Sequence, residues 1–240
     1  MKGIAIKRDQ LSNRDRERMF LLLQKHFNGV EREVFNSDLN DKNWVILIEK
    51  DGGHLAGFST ILQYPTTYGD EKLSVIYSGD TIVDRCAWGS LSLPKIWIKT
   101  VKYICEQGES GRVVWLLLTS GYRTYRFLPV FWNQFYPRHD KETPFDVQDL
   151  IDHLAQERFG KNFYRDTGIV RFDKPQSLSD ELRVVPQGKL SDPHVAHFNK
   201  LNPGHNLGDE LVCFAELNDH NLSPAGRRMV TASHPKKKSA

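Results

Sequence analysis

The sequence lacks most of the features that assign a chain to a class at sight. Its 240 residues hold only three cysteines, Cys86, Cys105 and Cys213, widely spaced and without a Cys-x-x-Cys pair. That leaves no disulfide framework and fits free thiols in a reducing compartment. No apolar run approaches the ~20 residues that a membrane-spanning helix needs. The first residues also lack the basic start and apolar core of a secretory leader, so a cytoplasmic protein is expected. Neither charge dominates: 33 Lys and Arg against 30 Asp and Glu leave a formal +3, too little to argue for nucleic acid as a partner. Walker and dinucleotide fingerprints are absent. The string Gly108-Glu109-Ser110-Gly111 lacks the flanks of a nucleophile elbow and reads as a loop.

What is present is an ordinary globular composition, 39% apolar and 26% charged, in a recognisable order of elements. Residues 13–27 carry Met19, Phe20, Leu23 and Phe27 on one helical stripe, with Ser12 or Asn13 as cap. NWVILIEK (43–50) reads as a strand covered on both faces. Asp51-Gly52-Gly53-His54 turns it into a partner strand over 55–64. A polar connection after Pro65 leads to a third long strand, Lys72–Asp84. A helix with Leu93, Ile96, Trp97, Val101 and Ile104 at helical spacing follows, then a buried strand, Arg112–Thr119, and an aromatic, arginine-rich segment ending at Pro137. Beyond it come a helix from Pro144 to Gly160, a short strand over 167–172, a Pro- and Ser-rich excursion over 173–209 and a last strand near 210–217. The tail over 218–240 is expected to be disordered.

The part from Leu73 to Pro137 organises the rest: strand, phosphate-sized loop, helix, strand, helix. Such an order places a site at the strand ends, near Asp80–Ser90 and Ser120–Tyr125. His194, His197 and His205 lie near one another, but without an acidic ligand at convincing spacing, and no metal is expected.

The order helix, antiparallel pair, long strand, loop, helix, strand, helix, strand resembles the GNAT acyltransferase superfamily over roughly Ile4–Pro137. The resemblance implies an α/β (α+β) fold with a mixed, mostly antiparallel sheet flanked by helices on both faces. It implies one domain over 1–217, with helical additions at about 138–165 and 173–209. It also implies that the fourth strand, Lys72–Asp84, splays from the fifth, Arg112–Thr119, to admit the pantetheine arm of an acyl thioester. Thr81, Ile82 and Val83 would then supply main-chain contacts, Arg85, Trp88, Gly89 and Ser90 the phosphate loop, and Ser120 a contact to the arm. Only Gly89 falls on a glycine of the family pattern Gln/Arg-x-x-Gly-x-Gly/Ala. A later glycine is replaced near Leu91, and Trp88 stands where a cation is usual unless Arg85 serves instead.

In the same resemblance Tyr125 is the acid that protonates the departing thiolate, with Tyr122 as the competing assignment. Asp80, a carboxylate inside the apolar run IYSGDTIVD, is the base that prepares an amine. Asp84 reads as a cap or turn residue. Arg123, Arg126 and Arg138 fit either an anionic group or a solvated face. The expectation is therefore an N-acyltransferase taking an acyl group, medium or long in chain, from acyl-CoA or an acyl-carrier protein to a primary amine of a small molecule or peptide. The alternative is a protein of the same fold that binds an acyl thioester or a protein partner without chemistry. The loop over 84–93 discriminates between them.

Overall fold

The computed structural model describes residues 1–107 and 111–231. The loop read at 108–111, Gly111 apart, and the tail beyond 231 lie outside them. The chain opens with β1 (Lys2–Lys7), α1 (Asn13–His26), the two-residue β2 (Phe27–Asn28) and α2 (Arg32–Asp41). Ser12 caps α1, its hydroxyl accepting from the Asp15 amide at 3.1 Å. α2 is a full helix where the sequence signals only a short one, because Phe35 and Leu39 bury a face.

β3 (Trp44–Glu49) and β4 (Leu55–Tyr68) form the expected hairpin, and β1 adds to β3 antiparallel. β4 runs past Pro65 to Tyr68, longer than expected. Proline is tolerated there because β3 has ended at Ile61 and only β5 (Glu71–Ser78) still flanks the strand. β6 (Thr81–Val83), α3 (Ser92–Gln107) and β7 (Arg112–Thr119) complete the central part. Two short turns, α4 (Tyr122–Tyr125) and α5 (Phe127–Phe131), lead to α6 (Phe145–Phe159), to the two-residue strands β8 (Phe163–Tyr164), β9 (Ile169–Val170) and β10 (Ser177–Leu178), and to α7 (Asp180–Arg183) and α8 (Gln187–Leu190). The chain then passes through α9 (Pro193–Leu201) and β11 (Glu210–Glu216) to α10 (Pro224–Thr231).

The result is a large, mostly antiparallel sheet in the order β1-β3-β4-β5-β7-β11-β9-β8, with helices on both faces. Among the described residues only β5 and β7 run parallel. On one face α3, α5 and α10 pack on Ile46, Ile76, Trp115 and Leu117. Three indoles form the centre of that layer, Trp97–Trp115 at 4.3 Å and Trp115–Trp132 at 4.8 Å between centroids. On the other face α1 and α2 cover Leu47, Phe58 and Ile82, and α6 covers Val75, Leu116 and Phe214.

The expected third long strand is in fact two. β5 pairs with β7 as far as Ser78 opposite Leu117, the chain breaks at Gly79-Asp80, and β6 pairs with β4 alone. The break carries a steric constraint: a Cβ on Gly79 would stand 2.3 Å from the Tyr77 hydroxyl, so a side chain there would have to displace the buried ring. Trp115 fixes the last paired residue, its indole N–H donating to the Ser78 hydroxyl at 2.8 Å in the core.

The excursion over 173–209 is tied down where β10 pairs with β2 at the end of α1. The tail is ordered further than expected, to Thr231. Asn221 donates to the carbonyls of Glu216 and Gln134 at 2.8 and 2.9 Å and accepts from the Gln134 amide at 2.7 Å. Met229 of α10 then buries in the core.

Gly79→Ala forces the Tyr77 ring or the break itself to move. Overpacking of this kind costs about 1–3 kcal/mol, so the variant should melt several degrees below the parent in a thermal unfolding scan. An unchanged melting temperature would show that the ring gives way freely.

Candidate active site

Strand pairing decides what the break exposes. The Asp84 amide donates to the Ala56 carbonyl at 2.8 Å and the Thr60 amide to the Asp80 carbonyl at 3.0 Å. In an antiparallel ladder bonded and non-bonded residues alternate, so 80, 82 and 84 bond to β4 while Thr81 and Val83 turn their main chain the other way. Across the gap, Val212 donates to Gly168 and Phe214 exchanges bonds with Tyr136, both away from β7. Thr119 and Leu117 therefore bond to β11, and Leu118 faces the side that β5 has left. Between the two edges lies a cavity of about 680 Å³, lined by Gly79, Thr81 and Val83 on one wall and Thr119 to Tyr122 on the other. The strand tips are parted, and the space between them is open.

The apolar part of the lining comes from Phe127, Val130 and Phe131 of α5 and from Leu178 and Leu182 of the excursion, which roofs the cavity. Gly29 permits this roof, since a Cβ there would stand 2.6 Å from the Pro175 carbonyl oxygen. Trp88, 37% exposed, lines the cavity instead of anchoring the core. Its indole N–H donates to the Val83 carbonyl at 2.9 Å. The Arg123 guanidinium stacks on its ring at 4.0 Å and on that of Tyr122 at 4.6 Å, and donates to the Leu182 carbonyl at 2.9 Å.

The loop where a phosphate is expected consumes several of its own donors, though not the amides of Gly89, Leu91 and Leu93. The Cys86 amide bonds the Asp84 carboxylate at 3.1 Å, and those of Ala87, Trp88 and Ser90 bond carbonyls three residues back. At the start of α3 the Ser92 amide bonds the Ser90 hydroxyl at 3.1 Å, the Lys95 amide bonds Leu91, and Pro94 has none. Arg85 reaches out to Glu181 at 3.3 Å. A Cβ on Gly89 would meet nothing within 4 Å, so no contact within the protein requires glycine there. Asp84 is the cap it resembled. It is bonded by Lys25 at 2.5 Å and lies 3.3 Å from the His26 ring. Burial opposes its charge, but Lys25 and the Cys86 amide outweigh burial and hold the carboxyl well below its usual range.

Asp80 does not line this cavity. It projects to the opposite face of the sheet, where it joins a group that the sequence did not suggest. Lys42, fully buried, lies 2.5 Å from Asp38 and 3.9 Å from Asp80, with its ammonium 5.3 Å from the Tyr77 ring centroid. The Thr60 hydroxyl donates to Asp80 at 3.3 Å. Burial and then the charge of Asp38 push the Asp80 carboxyl well above the usual range. Burial also disfavours a charged Asp38, but a hydrogen bond from Asp80 and the Lys42 ammonium outweigh it and hold Asp38 low. The two therefore share a proton that sits on Asp80. Glu210, first residue of β11, is pushed up to about 8 by burial and by Asp38. A carboxylate and a lysine at the edges of apolar strands were the only signals for Glu210 and Lys42, and both look like ordinary strand ends.

Tyr125 must be corrected as a site residue. It is wholly buried, packs on Phe198 and Phe135, and donates to the Pro137 carbonyl at 2.8 Å. Helical phase turns it into the core and brings Tyr122, the competing assignment, to the cavity. Burial raises the Tyr122 phenol, which stays protonated. Ile82 is corrected as a main-chain contact, because its backbone belongs to β4. Ser120 lines the cavity, and the Ser90 hydroxyl donates to Ser92 at 2.8 Å. Arg138 pairs with Asp140 at 2.5 Å, away from the slot. Among the described residues no group of three His, Cys, Asp or Glu is arranged to hold a metal ion, and no helix is long and apolar enough to cross a membrane.

No family model and no curated protein matches the chain. Solved structures similar to it include the GNAT family N-acetyltransferase YhbS from Escherichia coli in complex with CoA, 15% identical, covering 53% of this chain and 68% of that one at a TM-score of 0.40. Arabidopsis thaliana NAA60 in complex with a bisubstrate analogue is 15% identical, with 56% and 87% covered and a TM-score of 0.40. Escherichia coli ElaA is 16% identical, with 60% and 93% covered and a TM-score of 0.36.

Proposed function

We propose that this chain is an N-acyltransferase of the GNAT type, moving an acyl group from a thioester to a primary amine. The observation that supports it is the open slot between β6 and β7, with unpaired main chain at Thr81 on one edge and at the Leu118 carbonyl on the other. An arm with amides along its length can bond there as an added strand. In the transfer the amine nitrogen bonds the acyl carbon, the carbon–sulfur bond breaks, the thiolate takes up a proton and the amine gives one up. Tyr122, beside Ser120 in the slot, is the proton donor to sulfur. Asp80, on the far side, is the acceptor of the amine proton, and Glu210 tunes it.

The apolar lining from α5 and the excursion favours an acyl chain longer than acetyl. The acceptor, a small amine or a peptide amine, arrives on the α2 side, where Asp80 stands. The three free thiols fit a cytoplasmic setting.

Incubating the protein with acetyl and longer acyl thioesters should release free thiol only when an amine is present, and faster for longer chains. Tyr122→Phe should slow release at least about tenfold, whereas Tyr125→Phe should change stability and leave the rate nearly intact. Thiol release unaffected by Tyr122→Phe would remove that residue from the mechanism. Absence of release with every thioester and amine tried would favour a binding protein.

The pH dependence follows from the raised carboxyls. A base works deprotonated, so with its pKa raised the rate should climb with pH above the usual carboxylate range. Asp80→Asn should abolish this limb. Glu210→Gln should move it to lower pH, since Asp80 loses a neighbour whose charge opposes its own. If Glu210→Gln abolishes the limb and Asp80→Asn only shifts it, the roles are exchanged.

A further inference from the structure

If the slot takes a thioester arm, the arm's phosphate must be held somewhere, and the loop after β6 is a poor place. Its amides at Cys86, Ala87, Trp88, Ser90 and Ser92 are engaged within the loop and Pro94 offers none, which leaves the separated amides of Gly89, Leu91 and Leu93 and no continuous cradle. The charged groups at the mouth are cations from other elements. Arg123 and Arg126 of the segment after β7 and Lys189 of α8 all line the same cavity. Arg123 has no carboxylate partner among the described residues. Its fork is oriented by the Trp88 and Tyr122 rings and by the Leu182 carbonyl, leaving further donors for a ligand. Lys189 makes no ion pair among the described residues. Arg126 is half-neutralised by Asp192 at 3.1 Å.

We propose that Arg123 and Lys189, with Arg126 in support, form a side-chain seat for a single phosphate. The donor this chain selects is then a 4′-phosphopantetheine thioester, and the nucleotide half of coenzyme A finds no seat of its own. The proposal rests on the acyltransferase reading and deepens it. It replaces a cradle of main-chain amides, which suits a pyrophosphate, by two or three charged side chains, which suit one phosphodiester. The same arm occurs at the near end of coenzyme A and on carrier proteins. The chemistry is shared, and binding measurements separate the sources.

Calorimetric titration of the intact protein with pantetheine, 4′-phosphopantetheine, coenzyme A and a phosphopantetheinylated carrier protein tests it without turnover. The expected result is that phosphopantetheine binds at least about tenfold tighter than pantetheine and within a few-fold of coenzyme A. Lys189→Ala and Arg123→Gln should each erase most of that gain while leaving pantetheine binding as it was. Lys189→Ala serves even if Arg123→Gln loosens the roof. Carrier protein binding as tightly as the free arm assigns the donor to a carrier, and its exclusion assigns it to a free thioester; either agrees with a one-phosphate seat. Coenzyme A binding more than about tenfold tighter than phosphopantetheine overturns the proposal and leaves the acyltransferase reading standing. Binding of none of the four overturns both.

Discussion

β4 is 14 residues long, enough to hold two strands end to end along one edge, and this length allows the sheet to open where it does. With β4 as continuous backing, β6 keeps its hydrogen bonds after leaving β7. The cost of the opening is then confined to a few main-chain groups at Thr81, Val83 and Leu118. Tyr77 constrains the opening from one side, by filling the space in which a side chain at residue 79 would lie. The bond from Trp115 to Ser78 enforces it from the other, by fixing the last paired residue in the core. A slot made this way is rigid, because its edges belong to a packed sheet and to the indole layer beneath.

The two sides of the opening differ in charge for reasons that lie in separate elements. On the α3 side the cations come from α4, α8 and the residue after α4, and the roof that carries Lys189 is held down by the two-residue pairing of β10 on β2. On the α2 side one buried lysine stands among three carboxyls. Burying Lys42 would be costly alone, and Asp38 at 2.5 Å offsets much of that cost. With Asp38 kept charged by this pairing, Asp80 and Glu210 cannot ionise at ordinary pH without facing a like charge, so they are held as proton carriers. On the proposed reading, an anionic donor would enter on the cationic side and the amine would meet Asp80 on the other.

The frame was legible in the sequence where periodicity and turn residues agreed. The hairpin at Asp51–His54, the α3 stripe, β7 and the helix after Pro144 appear close to the residues read for them. The break at Gly79-Asp80 was not legible as a break, because apolar character continues through Ile82 and Val83 and only contact with Tyr77 shows what a side chain at residue 79 would have to displace. Tyr125 was misplaced for a related reason. TSGYRTYRF offers two tyrosines three residues apart, and which one enters the slot depends on where the turn after Thr119 begins. The Asp38–Lys42–Asp80–Glu210 group assembles residues up to 172 positions apart and leaves no local pattern. The order found beyond Asn218 rests on Asn221, whose bonds to Gln134 and Glu216 are contacts of tertiary structure.

Trp88 draws the two halves of the site together. By taking the Val83 carbonyl it removes one acceptor that an arm in the slot would otherwise use, and so weakens the edge β6 presents. By stacking under Arg123 it returns a fixed cation to the same mouth, at a position where the ring's negative face and the guanidinium attract. On the proposed reading, main-chain recognition at the mouth gives way in part to a side-chain charge on an aromatic platform. Amide cradles follow the shape of a diphosphate, whereas an oriented guanidinium responds to charge and to one pair of oxygens.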